Sequence, residues 1–307
     1  MYTENRLRDC ALFVKAVLSN QLARVSPTLY MRLTHETGRG KTEDSTDEVA
    51  AYFSTCFAEY CQRLGWTPEA VAGQLQNKVV LEYGPGDSLG VALLWYAHGA
   101  KQVHCVDRFP LQSVSARNAK IYSRLVQGLD GEAQRRANSA FRISGDPSSG
   151  FRPEAIEYFV MPDGLIGEGA KYDLVVSRAV LEHVNDLAST MTNIATALHP
   201  QGVSIHEVDL RSHGLDRYQP FDFLTWPDFA YHLMFSQKGF PNRWRVDKYR
   251  ELAAANHLHL TSIEPTMTLS PQQVQRIAPK LANHLRRVSA EELSWMGFWM
   301  VLRHKSA

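Results

Sequence analysis

Glu82, Gly84, Gly86 and Asp107 have the types and spacing of a nucleotide cradle, and His183, Asp209 and His213 further on could move protons. The segment Val79-Val80-Leu81-Glu82-Tyr83-Gly84-Pro85-Gly86-Asp87-Ser88-Leu89-Gly90 starts with an apolar run that predicts a buried parallel strand. The glycines after it let backbone approach a ligand with no Cβ between. Leu89–His98 reads as an apolar helix, so the turn falls at a strand-to-helix junction, where doubly wound α/β sheets bind nucleotide-like cofactors. Asp107 closes a second apolar run, and an acid there can hold both ribose hydroxyls of a dinucleotide or an adenosyl cofactor. Glu82 separates the two, since it would repel a pyrophosphate and attract the ammonium group of S-adenosylmethionine.

The segment His206-Glu207-Val208-Asp209-Leu210-Arg211-Ser212-His213 follows what reads as the fifth strand. Ligands of parallel α/β sheets bind outside the carboxyl ends of the strands, which places Asp209 and His213 at the site. His183, after the fourth strand, should reach the same crevice. A histidine there could take a proton from a hydroxyl or amine, an effect worth ~10²–10⁴-fold in rate; it could equally cap a helix or pack. Asp209 has a rival role in an ion pair with Arg211 or Arg217. His206 reads as a strand histidine facing a packed layer. Period-two alternation turns His206 away from Glu207 and Asp209, so no metal is expected from the His206, Glu207, Asp209 and His213 set.

Positioning these residues requires alternating elements. Strands are expected at 79–82, 102–106, 156–160, 172–177, 202–208, 259–264 and 297–302. Helices are expected at about 89–98, 111–137, 247–256 and 271–288. Such alternation predicts a doubly wound, mostly parallel, seven-stranded sheet with an antiparallel last strand. Residues 1–76 read as an N-terminal helical cap. Leu7, Ala11, Phe13, Val14 and Val17 form one apolar stripe there, Ser45 and Glu48 a capping box, and Thr67-Pro68 a helix start. The polar segment Thr37–Asp47 reads as a mobile linker. Residues 77–213 are expected to bind the cofactor, 214–246 to form a lid insertion, and 247–307 to complete the sheet with a helical insertion.

With these motifs in order, the chain resembles the class I, Rossmann-like S-adenosylmethionine-dependent methyltransferases, of a bacterial small-molecule or glycan type. The resemblance rests on Glu82-Tyr83-Gly84-Pro85-Gly86, Asp107, Tyr172-Asp173-Leu174-Val175-Val176-Ser177, Ser177-Arg178-Ala179-Val180-Leu181-Glu182-His183-Val184, and the Pro200 and Gly202 turn before the fifth strand. It implies that Gly84 and Gly86, with Tyr83 between strand and turn, wrap the methionine part of the cofactor, and that Glu82 lies near its amino group. It also implies that Asp107 holds the ribose, Arg108 or Phe109 flanks the adenine, Asp163 and Gly164 lie at the adenine edge, and Ser177 and Arg178 line the methionine side. Asp209, His213 and His183 would then stand by the transferred methyl. The chain departs from the family pattern at Ser88, where many members have a third glycine, and at Met161, where many have an aspartate.

Residues 214–245 carry nine aromatics, among them Trp226 and Tyr231, and end in Pro241-Asn242-Arg243-Trp244-Arg245. Some of these rings would bury a helical hairpin; others would shape an acceptor pocket and exclude water. Arg243 or Arg245 could meet an anionic group, or pair with Asp247 or Glu251. The expected acceptor is a small organic molecule or glycan, with oxygen slightly favoured over nitrogen.

Composition narrows the partners. A net charge of +1 without a basic block argues against nucleic acid and acidic membranes. The N-terminus lacks the apolar core of a signal peptide, and the four cysteines are scattered, so a cytoplasmic protein with reduced thiols is expected. An NAD(P)-dependent oxidoreductase and a non-catalytic partner subunit remain rival readings. The oligomeric state is not legible.

Overall fold

The computed structural model describes residues 6–26, 29, 30, 33 and 45–305. Residues 37–44 of the expected linker lie outside them. Helix α1 spans Arg6–Val25, α2 Thr46–Arg63 and α3 Pro68–Leu75. Ser45 and Glu48 form both bonds of the expected capping box. The expected stripe on α1 is only partly used: Phe13 and Val17 pack inward, while Leu7 and Val14 are exposed.

Strand β1 (Val79–Tyr83) leads through the glycine turn into α4 (Gly90–Ala97), then β2 (Gln102–Asp107). The expected long helix over 111–137 is two helices, α5 (Ala116–Gln127) and α6 (Gly131–Ser139). Gly128 caps the first, and Gly131 at φ +47° lets the chain turn into the second. A hairpin of β3 (Phe141–Ile143) and β4 (Asp146–Phe151) follows, too short and polar to show apolar periodicity. Beyond it lie β5 (Ile156–Val160), β6 (Tyr172–Arg178), α7 (Leu187–Ala197) and β7 (Leu198–Asp209), the last starting four residues before the expected strand. The rest is α8 (Asp228–Phe235), α9 (Val246–Ala255), β8 (Leu258–Thr268), α10 (Pro271–Ile277), α11 (Ala290–Ser294) and β9 (Trp295–His304). The helix expected through 288 stops at Ile277, where Pro279 removes a backbone donor and only short 3₁₀ turns follow.

Seven strands form one sheet in the order β5-β2-β1-β6-β7-β9-β8. β5 through β7 are parallel neighbours, and β9 runs antiparallel to both β7 and β8. Period-two alternation sends Val80, Val103, Val176 and Ile205 to a core layer under α2, α4 and α5; Leu81, Val106, Val175 and Val208 go to the opposite layer under α7 and α9. Trp95 of α4 is fully buried and meets Phe57, Tyr60 and Trp66 at ring-centroid distances of 4.8, 5.8 and 6.4 Å. Aromatic pairs of this kind add about 0.5–1.5 kcal/mol each beyond area burial and fasten the N-terminal helices to the sheet.

The aromatic segment builds a third core. Phe221, Phe223, Tyr231 and Met234 pack with Leu269, Val274 and Ile277, and with Phe13 and Val17 of α1. Asn20 of α1 bonds the Leu233 carbonyl and accepts from the Gln237 amide. Most of these rings therefore serve packing. No helix among the described residues is long and apolar enough to cross a membrane.

Candidate functional site

Strand β1 delivers the chain to a turn with two left-handed residues, Gly84 at φ +60° and Gly86 at φ +76°. A Cβ on Gly84 would stand 2.5 Å from Val180 Cγ2, so both backbone conformation and close approach require glycine there. Ser88 is buried. Its hydroxyl donates to Asn118 Oδ1 at 2.6 Å, and Asn118 Nδ2 donates to the Asp87 carbonyl at 2.8 Å, tying the turn to α5. The departure from a third glycine thus supplies an anchor.

The turn forms one wall of a cleft of about 550 Å³ at the carboxyl ends of the parallel strands. Tyr83, Gly84, Gly86, Asp107, Arg108, Asp163 and Gly164 line it at one end; His183, Asp209 and His213 line it at the other. Asp107 is largely buried and accepts the Phe109 amide at 3.1 Å. Burial raises its pKa, opposed by the amides of Phe109, Arg108 and Gly86. Arg108 stacks on Phe109 at 4.6 Å. Asp163 sits in a turn closed by the Gly164 amide on the Met161 carbonyl, 2.8 Å apart. That turn brings an acid beside the place where Met161 breaks the family pattern.

Glu82 lies behind this wall, not on it. It is buried, the Cys105 thiol lies 4.0 Å from its Oε2, and desolvation pushes its pKa up to about 8. An acid largely protonated at neutral pH and set behind the wall does not supply the charge expected to attract an ammonium group.

At the other end, the rings of His183 and His213 meet edge to face, 4.6 Å between centroids. Burial and then the neighbouring His213 lower the His183 pKa to about 4, so its ring is neutral at pH 7. His213 occupies φ +48°, a left-handed conformation uncommon for a residue with a side chain. Asp209 is paired with Arg211, whose Nε approaches its two oxygens at 2.8 and 3.0 Å. Burial works against the Asp209 charge, but the Arg211 side chain and amide outweigh it and hold its carboxyl below the usual range. The ion-pair alternative is the one observed; Arg217 pairs with Asp9 and Asp222 instead.

Several expected site residues have other occupations. Ser177 is fully buried, with its hydroxyl 2.7 Å from His206 Nδ1, while Ser204 Oγ takes the other ring nitrogen at 2.5 Å. His206 is the packed strand histidine foreseen, its pKa lowered to about 3 by burial. Arg178 joins Glu59 of α2 at 2.6 Å and Glu207 of β7 at 2.9 Å, away from the cleft; its neighbour Ala179 lines the wall instead. Arg245 is 1% exposed. It donates to the Leu210 carbonyl at 3.1 Å and to the Trp295 carbonyl, and pairs with neither Asp247 nor Glu251. Trp226 lies under the Arg217 guanidinium and over Phe13. Tyr231 and Arg243 stack on each other and line a second cavity of about 540 Å³, which shares Val184, Asn185 and Phe240 with the cleft. The Arg243 charge is already met by Asp228 at 2.6 Å.

Tyr30, Tyr52, Lys238, Gly239 and Phe240 complete the cleft without having been foreseen. Only the three-dimensional path brings these distant segments over the turn. Glu182 was equally unforeseen as a site residue, although it stands beside His183. It is 1% exposed, neither carboxylate oxygen has a hydrogen-bond partner, and burial raises its pKa well above the usual value despite the nearby amides of Glu182 and Asp209.

Residues 54–263 match the family described as "Methyltransferase domain". No curated protein matches the chain. Similar solved structures include an S-adenosylmethionine-dependent methyltransferase from Mesorhizobium loti, 16% identical, covering 77% of this chain and 96% of that one at a TM-score of 0.42. Another is a phosphoethanolamine N-methyltransferase of Haemonchus contortus in complex with phosphomonomethylethanolamine and S-adenosylhomocysteine, 16% identical, covering 77% and 52% at 0.41. A [4+2]-cyclase is also similar, 14% identical, covering 78% and 80% at 0.41.

Proposed function

The chain belongs to the methyltransferase-domain family, and from that premise we propose that it carries a methyl group from S-adenosylmethionine to an oxygen of a small or medium organic acceptor, such as a sugar or a natural-product intermediate. One observation supports this above the rest: a single cleft joins the Gly84, Gly86 and Asp107 cradle to His183 and His213. The cradle suits an adenosyl group, because Gly84 and Gly86 bring left-handed backbone without side chains to the cleft wall and Asp107 presents a carboxylate at the end of β2.

When bound, the cofactor supplies an electrophilic methyl group on a sulfonium. Asp107 holds the ribose, Arg108 and Phe109 flank the base, and the turn at Asp163 and Gly164 meets its edge. Lys238, Gly239 and Phe240 close over the middle with Tyr30 and Tyr52 and exclude water. Holding acceptor and methyl in line removes about 7–11 kcal/mol of barrier. His183 and His213 line that end of the cleft, where a ring nitrogen can handle a hydroxyl proton, which favours oxygen over nitrogen. In this reading residues 1–76 cap the site, 77–213 hold the cofactor, 214–246 cover the acceptor mouth and 247–307 complete the sheet.

The test is transfer of labelled methyl from S-adenosylmethionine to panels of hydroxyl and amine acceptors, with S-adenosylhomocysteine as the second product. Label is expected in a hydroxyl compound. In single turnover, His213→Ala should slow transfer while S-adenosylhomocysteine binding stays near normal; an unaltered rate removes His213 from the reaction. Transfer to amines alone would contradict the oxygen preference.

A further inference from the structure

Among the described residues, Glu182 is a buried carboxylate with neither oxygen hydrogen-bonded, beside His183 and His213 at one end of the cleft. Its Oε1 lies 3.8 Å from His183 Nε2 and 4.0 Å from His213 Nε2. The ligand atoms offered by the three residues all fall within 4.8 Å of one another. Atoms bound at about 2.0–2.2 Å to one ion stand roughly 3–4 Å apart, so a small contraction of the two rings would close the set. His213 sits in the cluster with a left-handed backbone, φ +48°, of the kind that clusters at functional sites.

We propose that Glu182, His183 and His213 form a site for a divalent first-row transition metal at the acceptor end of the cleft. Two imidazole nitrogens and one carboxylate oxygen are the donors of zinc, cobalt or iron(II) and do not suit magnesium or calcium, which take oxygen ligands. Both histidines line the cleft, so the remaining coordination positions face the space the acceptor enters. Asp209 meets the same His213 Nε2 from its own side, its carboxylate Oδ2 at 3.9 Å and its carbonyl oxygen at 3.4 Å, and its carboxylate is fixed by Arg211. The proposal rests on the methyl-transfer reading for its role. A metal there binds the acceptor hydroxyl oxygen and releases its proton to water; the oxygen then bonds the methyl carbon as the carbon–sulfur bond breaks, its electron pair staying on sulfur. The alternation that separates His206 from Glu207 and Asp209 excludes a different set and does not bear on this one.

The test uses the chelator-treated full chain titrated with Co²⁺, followed by visible d–d absorption and by metal content after gel filtration. Binding of S-adenosylhomocysteine is measured by calorimetry on the same samples. The expected result is a single Co²⁺ per chain, displaced by Zn²⁺ with loss of colour, and roughly tenfold or greater weakening in both Glu182→Gln and His213→Ala. His213 is on a part-exposed loop, so its variant keeps the test alive if the Glu182 variant fails to fold. Absence of Co²⁺ uptake, or equal uptake in folded His213→Ala, overturns the site. S-adenosylhomocysteine binding without Co²⁺ uptake rejects the metal and leaves the methyl-transfer reading standing; uptake without S-adenosylhomocysteine binding supports the site and rejects that reading.

Discussion

Asp107 and Glu82 are both carboxylates near the ends of neighbouring strands, one on the cleft wall and one behind it, and their surroundings give them different work. Asp107 reaches the cleft and already accepts one backbone amide. Its replacement by Ala should weaken S-adenosylhomocysteine binding by about 1–3 kcal/mol, the scale of a charge-assisted hydrogen bond, in a calorimetric titration. Glu82 is held protonated by burial, with a pKa near 8 folded against 4.5 free. Between those values the folded chain binds more protons than the unfolded one, so this group lowers stability as pH rises, by up to about 1.4 kcal/mol per pH unit. The lost stability does not return above pH 8; it levels off. Thermal melts of wild type and Glu82→Gln from pH 5 to 8 should therefore diverge in favour of the variant as pH rises, and parallel curves would refute the raised pKa. The glycines and Asp107 were legible because their chemistry is local to a turn. Ser177, Arg178 and Arg245 were not, because each is claimed by a distant partner: His206, Glu59 and the Trp295 carbonyl respectively.

The turn between β1 and α4 depends on what packs against it as much as on its own residues. Gly84 is left-handed, and Val180, in the loop after β6, fills the space where its Cβ would lie. Gly84→Ala should abolish measurable S-adenosylhomocysteine binding, and adding Val180→Ala should recover part of it by clearing the clash. No recovery would assign the whole effect to backbone strain, which costs about 1–2 kcal/mol. Strands carrying uninterrupted apolar runs were visible in advance, since burial on both faces imposes that pattern. The break between α5 and α6 and the β3–β4 hairpin were not, because Gly128, Gly131 and a few polar residues carry little periodic signal.

Across the whole molecule, the cleft is an assembly of remote pieces: the carboxyl ends of β1, β2, β6 and β7, residues from the N-terminal helices, and the 238–240 segment. Nothing in one local stretch announces that Tyr52 and Phe240 share a wall. Arg245 shows the opposite case, a residue expected at the acceptor that instead bridges the Leu210 and Trp295 carbonyls inside the fold. Arg245→Met should cost about 1–3 kcal/mol for each buried carbonyl left bare, read by chemical denaturation, with cofactor affinity in the folded fraction unchanged. The central claim is that this assembly is an adenosyl-methionine site, and calorimetric titration of the full chain with S-adenosylhomocysteine and, separately, with NAD⁺ and NADP⁺ tests it most directly. The account predicts saturable S-adenosylhomocysteine binding at a single site per chain, weakened by Asp107→Ala, and no heat from either dinucleotide; dinucleotide binding, or no S-adenosylhomocysteine binding to folded wild type, would contradict it.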